Sequence, residues 1–318
     1  MNLLTVTLAA VALLLAAAAG YTRYRAAGIE RAYPPQGSFV DAAGTRIHVI
    51  AAGEDRKGVP FVLLHGASGN AREPMHRLGR ALAEFAPVYA IDRPGAGYSA
   101  RPERDDADTA AGQAAIVAAT LDALGLEKAV IVGHSLGGAP AAALALAHPE
   151  KVAGLVLISA VTHPWPGGVT WYYELASLPL IGPLFAHTLV VPIGDASMDG
   201  AVEGVFRPDP APAGYAAEIG AELTLRPSSF LANARDLTAL KRSVTEQYFR
   251  YHEIAAPTLI ITGDTDGSVS PKIHSRTMHE QVEGSRLVIL KGAGHMPHDA
   301  HTARVAGEIQ TFYDNLSR

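Results

Sequence analysis

Short apolar runs that alternate with helical patterns are the feature that most constrains how this chain folds. The alternation begins near residue 38, after an apolar N-terminal segment. Strands that read as continuous apolar runs are buried on both faces, as in a parallel sheet covered by helices. The pattern therefore predicts an α/β fold with a mostly parallel sheet flanked by helices. The predicted strands are residues 47–51, 61–64, 88–91, 129–132, 154–159, 258–262 and 286–290.

Several of the predicted helices have recognisable ends. Asn70, with Glu73 three residues later, resembles a capping box. Gly125 is a typical C-terminal stop, and Ser270 before Pro271 is typical of an N-cap that precedes a proline. The predicted helices are residues 71–85, 109–124, 136–147, 271–281 and 303–316.

The alternation stops between about residues 161 and 251. That stretch is rich in proline and aromatic residues and shows no strands, although 228–240 and 243–252 have helical patterns. A long insertion of this kind is usually functional, so we predict a helical cap or lid over a site. The predicted division is an N-terminal segment 1–20, a linker 21–35, a core domain in two parts at 36–160 and 252–318, and the cap at 161–251.

The N-terminal segment predicts association with a membrane. Residues 3–19 carry no charge and are long enough as a helix to cross a bilayer, and Arg23 and Arg25 follow them. We expect a retained transmembrane anchor. The alternative is a cleaved signal peptide with a cleavage site near 16–18, which would give a secreted or periplasmic protein, but no basic residue precedes the apolar stretch. Two arginines leave the side of the membrane open.

A Gly-His-Ser-Leu-Gly sequence at residues 133–137 carries the clearest chemical signal. An apolar strand precedes it and an alanine-rich helical stretch follows it. A sharp turn from strand to helix strains the serine backbone and projects its hydroxyl from the sheet, and the flanking glycines avoid collisions at that turn. The context predicts that Ser135 is a nucleophile.

A serine nucleophile needs a general base, and His295 is the best candidate. It follows Gly294 just beyond the last predicted strand, where an imidazole can lean over the sheet edge. His298 and His301 lie at or beside the start of the final helix, where a solvated surface role is expected. His134 is fixed inside the turn and cannot point at the hydroxyl of its neighbour.

The carboxylate that orients the base should follow the strand that precedes the histidine strand. Asp264 and Asp266 both do so. Asp264 abuts the strand end, where an aspartate commonly accepts backbone N–H groups. Asp266 is better spaced to reach the far ring nitrogen of His295, so we predict Asp266 as the acid, in the known order Ser, Asp, His.

Acyl transfer also requires an oxyanion hole. One predicted donor is the N–H of Leu136, the residue after the nucleophile. The other is the N–H of Ala67, in the glycine-punctuated loop 65–70. That loop also has an ordinary structural role, because Asn70 can cap the following helix.

These motifs, in this order, resemble those of the α/β-hydrolase superfamily. They are His65-Gly66-Ala67, the Asp-Arg-Pro-Gly-Ala-Gly-Tyr-Ser sequence 92–99, and residues 133–138, 263–271 and 292–295. The resemblance covers residues 36–318 apart from the insertion. It implies the α/β-hydrolase fold with an inserted cap, the Ser135, Asp266 and His295 triad, and oxyanion donors at Ala67 and Leu136. Branches with an aspartate nucleophile, the dehalogenases and epoxide hydrolases, do not fit Ser135. The chain departs from the usual Gly-His-Gly turn with Gly95-Ala96-Gly97.

The expected function is hydrolysis of carboxylic esters through an acyl-enzyme. An aromatic cap and a membrane helix favour lipid-derived esters, such as lysophospholipid, phospholipid or glyceride. The alternatives are another serine-dependent activity, such as C–C bond hydrolysis or perhydrolysis, and a ligand-binding protein without catalysis. The mechanism needs no cofactor or metal, and no metal-ligand spacing is evident. The absence of cysteine excludes thiolate chemistry, and a net charge of -5 gives no reason to expect nucleic acid.

Overall fold

An eight-stranded sheet forms the centre of the molecule in the computed structural model, which describes residues 2–316. Met1 and residues 317–318, assigned above to the N-terminal segment and the second part of the core, lie outside the described residues. The strands are β1 (Ser38–Ala42), β2 (Thr45–Ala52), β3 (Phe61–Leu64), β4 (Val88–Ile91), β5 (Ala129–His134), β6 (Val152–Ile158), β7 (Thr258–Gly263) and β8 (Arg286–Leu290).

The sheet has the order β1-β2-β4-β3-β5-β6-β7-β8. β1 and β2 are antiparallel, β2 also runs antiparallel to β4, and the remaining pairs are parallel. The predicted mostly parallel sheet is thus confirmed. β1 was not predicted, because it is an edge strand with a half-exposed pattern and lacks the apolar run that marks the central strands.

Helices cover both faces of the sheet and build the insertion. They are α1 (Leu3–Ala32), α2 (Arg72–Pro74), α3 (Arg80–Leu82), α4 (Ala110–Ala123), α5 (Gly138–Ala147), α6 (Trp171–Ser177), α7 (Ile181–Thr188), α8 (Val190–Phe206), α9 (Tyr215–Glu218), α10 (Pro227–Gln247), α11 (Ser275–Gln281), α12 (Pro297–Ala300) and α13 (Thr302–Leu316). The helical patterns at 228–240 and 243–252 form one helix, α10, and a short 3₁₀ segment, Tyr248–Glu253.

The predicted linker at 21–35 is wrong, because α1 continues through most of it to Ala32. No proline interrupts the chain before Pro34, so nothing in the sequence stops the helix earlier. The second half of α1 packs on the insertion: Arg25 forms an ion pair with Asp195 on α8 at 2.8 Å, and Ile29 is fully buried. Tertiary contacts therefore extend the helix beyond its apolar segment.

The predicted capping box at Asn70 and Glu73 does not form. The Asn70 carboxamide oxygen accepts the N–H of Arg72, and its amide group donates to the carbonyl oxygen of Ile219 in the insertion. The Glu73 carboxylate is buried and accepts a hydrogen bond from His298 instead. The helical segment contains a π turn, Met75–Gly79, between α2 and α3.

Two other predicted helix ends have different outcomes. Gly125 follows α4 with φ +69°, and its N–H donates to the Asp122 carbonyl oxygen, so the predicted stop is confirmed. The helix predicted from Pro271 begins later, at Ser275, because residues 271–274 form a turn first.

A buried ion pair joins the insertion to the core. Asp236 on α10 accepts hydrogen bonds from Arg93 and Arg101, each at 2.6 Å, and the Arg93 and Asp236 side chains are both 2 % exposed. Arg93 follows β4 and also donates to the carbonyl oxygens of His65 and Gly66. The contact thus connects the insertion to the loop after β3.

Replacing Asp236 with alanine should strongly destabilise the fold, because it leaves the buried Arg93 charge without its carboxylate. We expect the free energy of unfolding, from urea denaturation, to fall by about 3–5 kcal/mol. Arg104→Ala removes an exposed pair with Asp106 and should change stability by less than about 1 kcal/mol. Equal effects of the two substitutions would contradict the structural role given to Asp236.

Candidate active site

The turn at Ser135 follows β5 directly. Ser135 has φ +51°, a left-handed conformation that is uncommon for a residue with a side chain, and a 3₁₀ turn leads from it into α5. A Cβ on Gly137 would lie 2.4 Å from the Leu64 carbonyl oxygen, so only glycine fits there. The predicted strained turn is present, and Ser135 lies at the carboxyl edge of the sheet.

Three predicted site residues lie together at this edge. The Ser135 hydroxyl lies 3.1 Å from Nε2 of His295, and Nδ1 of His295 lies 2.9 Å from Oδ2 of Asp266. All three are buried: Ser135 directly follows β5, and Asp266 and His295 lie in the loops after β7 and β8. The second Asp266 oxygen accepts the N–H groups of Ser268 and Val269, which hold the carboxylate in place.

The competing residues occupy other positions. Asp264 is exposed and accepts the N–H of Gly292 at 2.6 Å, which is the hydrogen bonding to backbone N–H groups that is expected at this position. His134 is buried, and its Nε2 donates to the carbonyl oxygen of His295 at 3.2 Å. His301 pairs with Asp209 at the edge of the insertion.

The expectation of a solvated surface role for His298 is wrong. His298 is 1 % exposed, and its Nε2 lies 2.6 Å from Oε1 of Glu73. Burial raises the pKa of Glu73. Burial alone would lower the pKa of His298, but the hydrogen bond and charge of Glu73 outweigh it and raise that pKa. The error arose because α12, a short helix of four residues, turns His298 inward beneath the π turn, which no local pattern predicts.

The loop after β3 runs beside the serine. A Cβ on Gly66 would lie 3.1 Å from Cβ of Ser135, so this loop passes close to the nucleophile candidate. Nδ1–H of His65 donates to the Gly66 carbonyl oxygen, and Nε2 of His65 accepts the N–H of Arg93. Burial, together with the Arg93 charge, lowers the pKa of His65 to about 3 and keeps its ring neutral.

Ala67 and Leu136, the predicted oxyanion donors, both border the cavity above Ser135. Ser68, next to Ala67, has φ +54° and donates its N–H to the Asn233 side chain on α10. Sequence reasoning missed the supporting roles of Arg93 and Asn233. The sequence 92–99 entered only as part of the family resemblance and gave Arg93 no role, and nothing local pointed to Asn233, which lies far away in sequence.

A cavity of about 760 Å³ opens above Ser135. Its floor is formed by the core and includes His295 and Asp266, and its walls come mostly from apolar residues of the insertion. Among the wall residues are Trp171, Tyr172, Phe185, Ile193, Leu225 and Phe230. The site can therefore surround an apolar molecule and hold it against the serine hydroxyl.

Comparison with known proteins agrees with this architecture. A family described as alpha/beta hydrolase fold matches residues 59–212. A 2-hydroxymuconate semialdehyde hydrolase from Pseudomonas putida is 30 % identical over 290 residues, which cover 88 % of this chain and 94 % of that protein.

Solved structures share the fold at lower identity. A membrane phospholipase A, described as a bacterial virulence factor, has a TM-score of 0.68 at 24 % identity and covers 99 % of this chain and 96 % of its own. An esterase from Exiguobacterium antarcticum has a TM-score of 0.68 at 21 % identity and covers 88 % of this chain and 100 % of its own. The sheet order, the matched family and the similarity along nearly all of a relative agree: this chain belongs to the α/β-hydrolase family.

Proposed function

We propose that this protein is a serine hydrolase that cleaves carboxylic esters, with Ser135 as nucleophile, His295 as general base and Asp266 as the acid that orients it. The observation that carries the proposal is the continuous contact from Ser135 to His295 at 3.1 Å and from His295 to Asp266 at 2.9 Å, at the floor of an apolar cavity. These contacts are the ones that acyl transfer requires of a nucleophile and its base.

The first half of the reaction forms an acyl-enzyme. Nε2 of His295 takes the Ser135 proton while Oγ attacks the ester carbonyl, and the N–H groups of Ala67 and Leu136 stabilise the oxyanion. The tetrahedral intermediate then breaks its bond to the alcohol oxygen. His295 returns the proton to that oxygen, and the alcohol leaves.

The second half repeats the steps with water. His295 removes a proton from water, the hydroxide attacks the acyl carbonyl, and Ser135 leaves with the proton from His295. Asp266 accepts the Nδ1 proton of His295 in a hydrogen bond throughout, which presents Nε2 to the serine and stabilises the imidazolium. The enzyme is restored with a carboxylic acid as product.

We further propose that the esters are lipid-derived, such as lysophospholipid, phospholipid or glyceride. The cavity walls are mostly apolar, which suits an acyl chain. α1 is the one helix among the described residues that is long and apolar enough to cross a membrane. It packs on α8 through the contact of Arg25 with Asp195, and α8 also lines the cavity. An anchored α1 would therefore hold the cavity near a lipid source.

A second candidate is hydrolysis of a C–C bond. It is favoured by the 30 % identity to the 2-hydroxymuconate semialdehyde hydrolase over nearly all of that protein. The same three residues would serve, so the substrate distinguishes the two activities.

Labelling with a fluorophosphonate tests the nucleophile. We expect one covalent adduct on Ser135, and Ser135→Ala should lose both the adduct and about 10⁶-fold in kcat. Asp266→Asn should lower kcat by about 10⁴-fold, because His295 would present the wrong tautomer. Asp264→Asn is the matched control, since Asp264 is exposed and contacts Gly292 instead of His295, and it should react like the wild type. A wild-type protein without an adduct would favour the ligand-binding alternative.

A series of p-nitrophenyl esters from acetyl to dodecanoyl tests the substrate class. Each added CH₂ that enters the apolar cavity should raise kcat/KM by up to about fourfold until the cavity is filled. A maximum at acetyl would contradict a lipid substrate. Failure at every length, with turnover of 2-hydroxymuconate semialdehyde, would replace the ester proposal by the second candidate.

Carbonate extraction of cell membranes tests the anchor. Full-length protein should remain in the pellet, whereas Val11→Lys combined with Leu14→Lys should be released, because each charge costs about 3 kcal/mol in the bilayer centre. Alanine at both positions is the control. An intact protein mass that matches a chain without residues 1–18 would show signal cleavage and overturn the anchor.

A further inference from the structure

A second group of ionisable side chains lies beside the proposed catalytic residues and has no part in the mechanism above. Glu73, His134 and His298 come from α2, the end of β5 and α12. One oxygen or nitrogen atom of each lies within 4.8 Å of the others, and all three residues are at most 6 % exposed. Buried groups of this kind are normally paired, so their environment needs an explanation.

Several atoms of this cluster lack a hydrogen-bond partner. Oε2 of Glu73 and Nδ1 of His134 are among the buried polar atoms without one in the part of the chain that the structure describes. The Nε2–H of His134 donates to the His295 carbonyl oxygen, so Nδ1 is the ring nitrogen left to accept. Nδ1 of His134 lies 3.9 Å from Oε1 of Glu73, too far for a hydrogen bond, and its lone pair is unsatisfied.

We propose that Glu73, His134 and His298 form a binding site for one divalent transition-metal ion, and that Zn²⁺ is the ion best suited to it. Two imidazoles and a carboxylate are a common ligand set for Zn²⁺ in proteins. A cation between them would satisfy Nδ1 of His134 and the partnerless oxygen of Glu73, and it would replace the proton on Nε2 of His298. The site is distinct from the serine chemistry, because none of its ligands is Ser135, His295 or Asp266.

Binding requires the three ligand atoms, now within 4.8 Å of one another, to reach tetrahedral spacing. Ligands about 2.1 Å from a tetrahedral zinc lie about 3.4 Å apart. The contact of Glu73 with His298 would open from 2.6 Å, and that of Glu73 with His134 would shorten from 3.9 Å. Asp299 lies 3.6 Å from Nε2 of His298 and is held by the hydroxyl of Tyr215, so it is placed as an outer carboxylate or an additional ligand.

The site is reached from the cavity. Glu73 and His134 both line it, so a cation can enter there and complete its coordination with water. The ring of His134 lies 5.0 Å from that of His295, centroid to centroid. Binding of the ion does not depend on the proposed ester mechanism.

The test measures metal binding to the full-length protein in detergent, after a chelator has removed any bound metal. Titration with Co²⁺ should give one equivalent bound, with visible ligand-field bands, and Zn²⁺ should displace it. Glu73→Gln and His298→Gln should each weaken binding by at least about 100-fold. His76→Gln is the matched control: it removes a histidine that follows Glu73 by three residues and forms an ion pair with Glu218, outside the cluster, and binding should persist.

Spectroscopy and the variants distinguish a specific site from adventitious binding. X-ray absorption of the zinc-loaded wild type should show two imidazole ligands, and this measurement remains decisive if a cluster variant fails to fold. Absence of stoichiometric binding, or binding that Glu73→Gln and His298→Gln retain, would overturn the site and leave an adventitious ion only. Ser135→Ala should lose ester hydrolysis but keep metal binding, which would show that the metal site does not depend on the proposed nucleophile.

Discussion

The left-handed backbone at Ser135 is the constraint on which the rest of the site depends. A residue with a side chain adopts φ +51° only when its surroundings hold it there. β5 holds it from one side, within the parallel sheet between β3 and β6, and α5 holds it from the other. Gly137 permits the close approach of the chain to Leu64 that the turn requires. The strain thus places one hydroxyl at the sheet edge where the loops after β7 and β8 bring Asp266 and His295.

The insertion is coupled to this edge through polar contacts in the interior. Asp236 on α10 holds Arg93, and Arg93 in turn holds the carbonyl groups of the loop that carries Ala67. Asn233, one turn earlier on α10, accepts the N–H of Ser68 in the same loop. A change in the position of α10 would therefore alter both the cavity wall and the loop beside Ser135. α1 extends this coupling outward, because it packs on the same insertion.

A cluster of buried ionisable side chains lies beside Ser135, which the serine motif does not predict. His134 belongs to the turn, yet its ring faces a buried carboxylate and a second histidine rather than solvent. Glu73 lies in α2, directly before the π turn, and its carboxylate accepts a hydrogen bond from His298. The resulting cluster lies next to the proposed base, since the rings of His134 and His295 are 5.0 Å apart between centroids.

The sequence by itself determined the α/β fold and the identity of the residues at the sheet edge, because both depend on short stretches of neighbouring residues. Apolar runs predict buried parallel strands, and the ends of successive parallel strands meet at one edge, which brings Ser135, Asp266 and His295 together. Tertiary structure decided what depends on distant partners. The continuation of α1 depends on contact with α8, the single helix α10 depends on packing against the core, and the inward turn of His298 depends on Glu73, 225 residues away. Side-chain pairs of that separation have no periodicity or motif, so only the folded chain reveals them.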